Sequence, residues 1–174
     1  MYRRYVLSVL VENRSGVLSR ISGLITRRGF NIDSLTVAET ENPAISRMTI
    51  VLHCDESVVE QMKKQLEKQV DVKEVAELVE HESVTREHVM VKVAATPENR
   101  MSVLSVAEIF RANIVDVAAE AMIIELTGES NKTEAFIETV RPFGILQVVR
   151  SGITGLERGA KVPGKDRKKE EASF

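Results

Sequence analysis

The chain has 174 residues, 43% of them hydrophobic and 29% charged, and a formal net charge of −2. That is enough apolar material to bury one or two cores without staples, and the near balance of charge excludes a global field for nucleic acid or an anionic membrane. A single cysteine, Cys54, excludes an internal disulfide framework, and no apolar run is long enough to span a bilayer, so a cytoplasmic location is expected.

Tyr5 to Glu12 is nearly continuous in aliphatic and β-branched residues, the pattern of a central, mostly buried strand. Asn13-Arg14-Ser15-Gly16 interrupts it with turn formers. From Val17 the spacing becomes helical, with Val17, Leu18, Ile21, Leu24 and Ile25 on one stripe, and Gly29 supplies the stop. Ile32 to Glu39 alternates, placing Leu35 and Val37 on one face. After the turn Glu41-Asn42-Pro43, Met48, Ile50 and Leu52 alternate with Arg47, Thr49 and Val51. A second helix is expected from Asp55, with Val58, Met62 and Leu66 inward, and Val72 to Leu78 closes the series as a strand. The order is βαββαβ, a ferredoxin-like domain over residues 1–79.

Residues 80–87 read as a polar linker. The same order then recurs over 88–158. His88 to Ala95 is a strand, and Met101 to Ala112 a helix with Val103, Val106, Ala107 and Phe110 inward. Ile114 to Ala118 and Ala121 to Thr127 form a strand pair, Lys132 to Val140 a helix, and Ile145 to Ser151 the last strand. The fold class is thus α+β, two tandem ferredoxin-like βαββαβ domains. Residues 159–174 form a charged tail with almost nothing apolar to bury, and disorder is expected there.

No residue cluster points to catalysis. His53 and Cys54 are neighbours near a strand end, so their side chains diverge to opposite faces. His81 and His88 lack metal-ligand spacing and a third partner. There is no phosphate loop and no dinucleotide fingerprint. Base stacking on the sheet is disfavoured, since aromatic residues make up 4% of the chain and the central strands offer only Tyr5.

The stretch that carries chemistry is Glu12-Asn13-Arg14-Ser15-Gly16-Val17-Leu18. A helix opening exposes unpaired backbone N–H groups at the positive end of its dipole, where a small carboxylate can dock. Gly16 lets a ligand approach the backbone. The Asn13 side-chain carbonyl can accept from an ammonium group, and Val17 and Leu18 border the spot with apolar surface. Asn31, after Arg28-Gly29-Phe30, offers a further amide. Together these describe a site for a free apolar amino acid. The same residues are also what an ordinary turn, N-cap and C-cap use, and both readings stand at this level.

These segments resemble the ACT family of amino-acid-sensing domains, and more closely the small regulatory subunit of acetolactate (acetohydroxyacid) synthase. Leu7-Ser8-Val9-Leu10-Val11-Glu12-Asn13 with Ser15-Gly16-Val17-Leu18-Ser19-Arg20 is similar to the opening of that family. So are Arg28 to Val37 and Ser46-Arg47-Met48-Thr49-Ile50. Glu108-Ile109-Phe110-Arg111-Ala112, Ile114-Val115-Asp116-Val117, and Arg150-Ser151-Gly152 with Gly155-Leu156 and Gly159 fit its second half. The resemblance implies that the first domain is an ACT domain and that the chain is a homodimer binding valine between paired ACT domains. Asn13, Gly16, Val17 and Leu18 of one subunit would then face Asn31 and Ile32 of the other. It further implies a non-catalytic subunit that activates, and confers valine inhibition on, a separate catalytic subunit using thiamine diphosphate, magnesium and FAD. No cofactor is expected in this chain, and neither a nucleic acid nor a membrane partner. The alternatives are an amino-acid-sensing ACT module serving a different enzyme or regulator, and an enzyme in its own right, which would form acetolactate alone.

Overall fold

The computed structural model describes residues 2–160. In the first unit the elements are β1 (Tyr2–Glu12), α1 (Val17–Thr26), β2 (Ile32–Glu39), β3 (Ile45–Asp55), α2 (Glu56–Glu67) and β4 (Val72–Glu77). The strands form an antiparallel sheet in the order β2-β3-β1-β4. The continuous apolarity of β1 matches its central place, where Tyr5 to Val9 are buried without interruption. One face of the sheet presents Leu7, Val9, Val11, Met48, Ile50 and Leu52 to a core completed by Val17, Ile21 and Ile25 of α1 and Val59, Met62 and Leu66 of α2. At roughly 1.5–3 kcal/mol for each large side chain taken out of water, this cluster is the main term holding the sheet to its helices. Asp55 precedes α2 in an extended conformation, and Glu56 places a negative charge in its first turn, favourable against the dipole.

The second set of elements is β5 (Ser83–Ala94), α3 (Arg100–Phe110), β6 (Asn113–Val117), β7 (Ala121–Gly128), α4 (Ser130–Val140) and β8 (Ile145–Glu157), with the sheet order β6-β7-β5-β8. Val89, Val91 and Val93 of β5 and Met122, Ile124 and Leu126 of β7 form the core face against Val103, Ala107, Phe136, Ile137 and Val140. Phe110 meets Phe136 edge to face at 5.5 Å. Thus the βαββαβ order recurs, as expected.

Two boundaries differ from the expected ones. The chain divides into one unit that runs to Val84 and resumes at Thr154, and a second spanning Thr85–Ile153. Ser83–Glu87, expected within the 80–87 linker, extend β5, and β8 continues past Ser151 to Glu157. The polar residues that resemble a linker are internally satisfied. Ser83 Oγ donates to the Val79 carbonyl at 2.6 Å. Glu87 accepts from Arg150 Nε at 2.9 Å and Nη2 at 2.6 Å, and from Thr133 Oγ1 at 3.2 Å. A polar strand residue with such partners costs little to bury, and local polarity cannot reveal them. The expected tail falls from residue 161 onward outside the described residues. Among the described residues no helix is long and apolar enough to cross a membrane.

Candidate functional site

The chain leaving β1 is tied to both neighbours. Glu12 N–H donates to the Asp71 carbonyl and Asn13 N–H to the Ala44 carbonyl, each at 2.8 Å. The Asn13 amide is fixed as well, Nδ2 donating to the Pro43 carbonyl at 2.9 Å and to Glu39 Oε1 at 3.1 Å. With its NH₂ committed, Oδ1 is the acceptor this residue has to offer. Glu39, Pro43 and Ala44 are therefore part of the site's frame. No short-range pattern signals them, because they reach Asn13 only through the pairing of three strands.

Gly16 follows with φ +84°, a left-handed conformation, and a Cβ built there would meet nothing within 4 Å. The turn starts α1 without a side-chain cap and without an acidic residue in the first turn. The Arg20 N–H closes the first helical hydrogen bond on the Gly16 carbonyl at 3.0 Å. The opening of α1 thus keeps its positive end uncompensated by any capping group. Val17 is 2% exposed and sits in the core, so its side chain is not the apolar border expected of it, and its N–H donates to the Arg14 carbonyl at 3.4 Å. Leu18, 46% exposed, is the apolar group that remains beside the opening. Nearby, the Glu12 carboxylate is bonded by Lys73 Nζ at 2.5 Å and Arg14 Nε at 2.9 Å. The Lys73 hydrogen bond, assisted by the charge of Arg14, holds the Glu12 carboxyl below the ordinary carboxylate range. That pairing keeps the nearest cations occupied.

Asn31 and Ile32 lie at the other end of this layer, after Gly29 in the left-handed region at φ +78°. Asn31 is exposed, while Ile32 is half-buried and packs on the core. They open β2, an edge strand of the sheet.

Elsewhere the chemistry is sparse. Cys54 is buried while the neighbouring His53 is exposed, on opposite faces as expected. Burial, with the charges of Asp55 and Glu77, pushes the Cys54 thiol up. A shallow cavity of about 250 Å³ is lined by Arg28, Phe30, Val58, Gln61 and Met62, and its lining holds no nucleophile and no carboxylate. Among the described residues no group of three or more His, Cys, Asp or Glu is arranged to hold a metal ion.

Comparison with known proteins agrees with this architecture. Residues 7–74 match the family model described as an AHAS small subunit-like ACT domain, and residues 86–159 match the model for the small subunit of acetolactate synthase. The chain is 47% identical over 158 residues to a probable acetolactate synthase small subunit of Methanothermobacter thermautotrophicus, covering 90% of this chain and 94% of that one. It is 48% identical over 160 residues to the acetolactate synthase isozyme 3 small subunit of Escherichia coli, covering 91% and 98%. The crystal structure of the acetolactate synthase small subunit of Thermotoga maritima superposes with a TM-score of 0.83 at 37% identity, over 91% of this chain and 99% of that one.

Proposed function

The chain belongs to the family of acetolactate synthase small subunits, regulatory subunits with an ACT domain, and from that premise we propose that it binds valine at the opening of α1 and so sets the activity of a catalytic subunit. The observation that carries this reading is the uncapped start of α1 beside Gly16, with open space at its Cα and a fixed Asn13 amide next to it. The effector carboxylate docks on the N–H groups of Leu18 and Ser19 in the first turn, its ammonium group donates to Asn13 Oδ1, and its aliphatic side chain lies against Leu18. Asn31 and Ile32 of the partner subunit complete the site across a homodimer. The outer edge of β2, with Val37 exposed beside it, is the surface a second copy would meet.

A ligand held between two subunits favours the arrangement that completes its site, and it shifts the catalytic subunit by its differential affinity for the two arrangements, typically about 1–3 kcal/mol. Thiamine diphosphate, magnesium and FAD, and the condensation of 2-oxo acids they support, belong to that catalytic partner. The assembly works in the cytoplasm, where Cys54 stays a buried thiol. Valine, leucine and isoleucine differ by a methylene or its position, worth about 1–3 kcal/mol in an apolar pocket.

The test is titration of the purified chain with the three branched-chain amino acids, following heat and oligomeric state, with acetolactate formation measured on mixing with the catalytic subunit. Saturable binding to a dimer, tightest for valine, with inhibition of the mixed enzyme is the expected result. A monomer that binds none of the three refutes the reading.

A further inference from the structure

The two units share a detail that the overall sequence hides. After each first helix the chain turns through a left-handed residue, Gly29 in one unit and Arg111 (φ 54°) in the other. Two positions later stands an asparagine, Asn31 or Asn113, followed by an isoleucine that pairs with the core-facing strand, Ile32 with Leu52 and Ile114 with Ile124. Both edge strands then break register over one residue, Asp33 in β2 and Val115 in β6.

The register break decides where the asparagine goes. Leu35 pairs with core-facing Ile50, so in an unbroken strand residues 33 and 31 would share its face. The extra residue at Asp33 puts Ile32 on the core face instead and turns Asn31 to the opposite one. In the first unit the bulged residue is pinned. Asp33 Oδ2 lies 2.5 Å from His53 Nδ1, and the His53 ring stacks on Tyr2 at 6.3 Å. His53 follows Leu52 as Glu125 follows Ile124, so the two occupy corresponding places. In the second unit Glu125 faces the asparagine, and Asn113 Nδ2 donates to Glu125 Oε1 at 3.4 Å. In the first, His53 is engaged by Asp33, and the Asn31 side chain has no hydrogen-bond partner among the described residues.

The helix openings differ in the same sense. α1 begins after left-handed Gly16, whereas α3 begins after Asn99 at φ −107°. There Arg100 Nη2 donates to the carbonyls of Ala95, Ala118 and Ala119 at 3.2, 2.9 and 2.6 Å.

We propose that the His53–Asp33 pair is the positioning device that keeps the Asn31 amide aimed and unclaimed for the effector, and that the second unit is a silenced copy of the same site, its asparagine held by Glu125 and its helix opening without a left-handed glycine. The inference rests on the effector reading of Asn31. His53 does not touch the ligand; it acts through Asp33 and the bulge. One effector per chain follows.

The test is calorimetric titration of the full chain with valine for the unaltered protein, Asn31→Ala, His53→Glu, His53→Gln and Asp33→Ala, each also scored for melting temperature and activation of the catalytic subunit. His53→Glu, which recreates the Glu125 arrangement, is expected to weaken binding by about tenfold or more through capture of Asn31. His53→Gln can still donate to Asp33 and should stay within about threefold, and Asp33→Ala should weaken binding by about tenfold. Stoichiometry should be one per chain. If Asn31→Ala weakens binding while His53→Glu and Asp33→Ala do not, this inference falls and the effector reading stands. If His53→Glu does not fold, Asp33→Ala decides alone. If Asn31→Ala binds as the unaltered chain does, the effector reading falls and takes this inference with it.

Discussion

Gly16→Asp separates a ligand site from an ordinary turn. At φ +84° an L side chain costs roughly 1 kcal/mol of backbone strain, and aspartate is among the residues that tolerate this region best. No clash adds to it, since a Cβ there meets nothing within 4 Å. The new carboxylate also sits at the positive end of α1, where a negative charge gains about 0.3–1 kcal/mol. The fold should therefore lose no more than about 1 kcal/mol, a shift of a few degrees in melting temperature. Binding should suffer far more. An effector carboxylate on the same N–H groups gains about 1.5–3 kcal/mol per charged hydrogen bond, and a like charge in its place removes that gain and adds repulsion. A loss of about 2–4 kcal/mol corresponds to about 30- to 1,000-fold in Kd. Gly16→Ala carries the strain without the charge and should keep its affinity within about fivefold. Calorimetry with valine reads the affinity, a thermal melt controls for the fold, and activation of the catalytic subunit controls for assembly. Valine binding by Gly16→Asp within threefold of the unaltered chain, in a folded protein, would refute the docking of a carboxylate at this helix start.

Asn13→Ala removes the acceptor assigned to the effector ammonium and the two bonds to Glu39 and Pro43, so calorimetric affinity should fall by about 1.5–3 kcal/mol and stability by about 1 kcal/mol; unchanged affinity would remove Asn13 from the site. Arg150→Ala leaves Glu87, 4% exposed, without its charged partner. Breaking a buried pair costs about 3–5 kcal/mol, but Arg150 is 39% exposed and water can reach the gap, so about 2–3 kcal/mol is expected in urea unfolding. Glu87→Gln, which stays neutral, should cost less than Arg150→Ala; the reverse order would show that the pair is not what holds β8 there. Cys54, buried and with its thiol pushed up, carries less thiolate at pH 8 than a free cysteine, so alkylation should be slow in the folded chain and fast in denaturant. Rapid native labelling would place that strand end in an open state.

Local pattern was enough for the order of the elements and for one half of the candidate site. The apolar run of Tyr5–Glu12, the helical stripe of Val17, Ile21 and Ile25, and the alternation of Met48, Ile50 and Leu52 follow from side-chain periodicity, which is a property of neighbours along the chain. The turn at Asn13–Gly16 is legible for the same reason, as is Asn31 after its left-handed glycine. What only the tertiary structure decided is which of these groups are free. Asn13 is held by Glu39 and Pro43 across strands, Val17 faces the core instead of a ligand, and Ser83–Glu87 become strand because Arg150 and Thr133 satisfy Glu87. The register break at Asp33, which turns Asn31 outward, depends on how β2 lies against β3 and on a histidine twenty residues away. Spacing along the chain sets which side chains share a face; whether a polar group on that face is already spent on a partner is set by contacts between segments far apart in sequence.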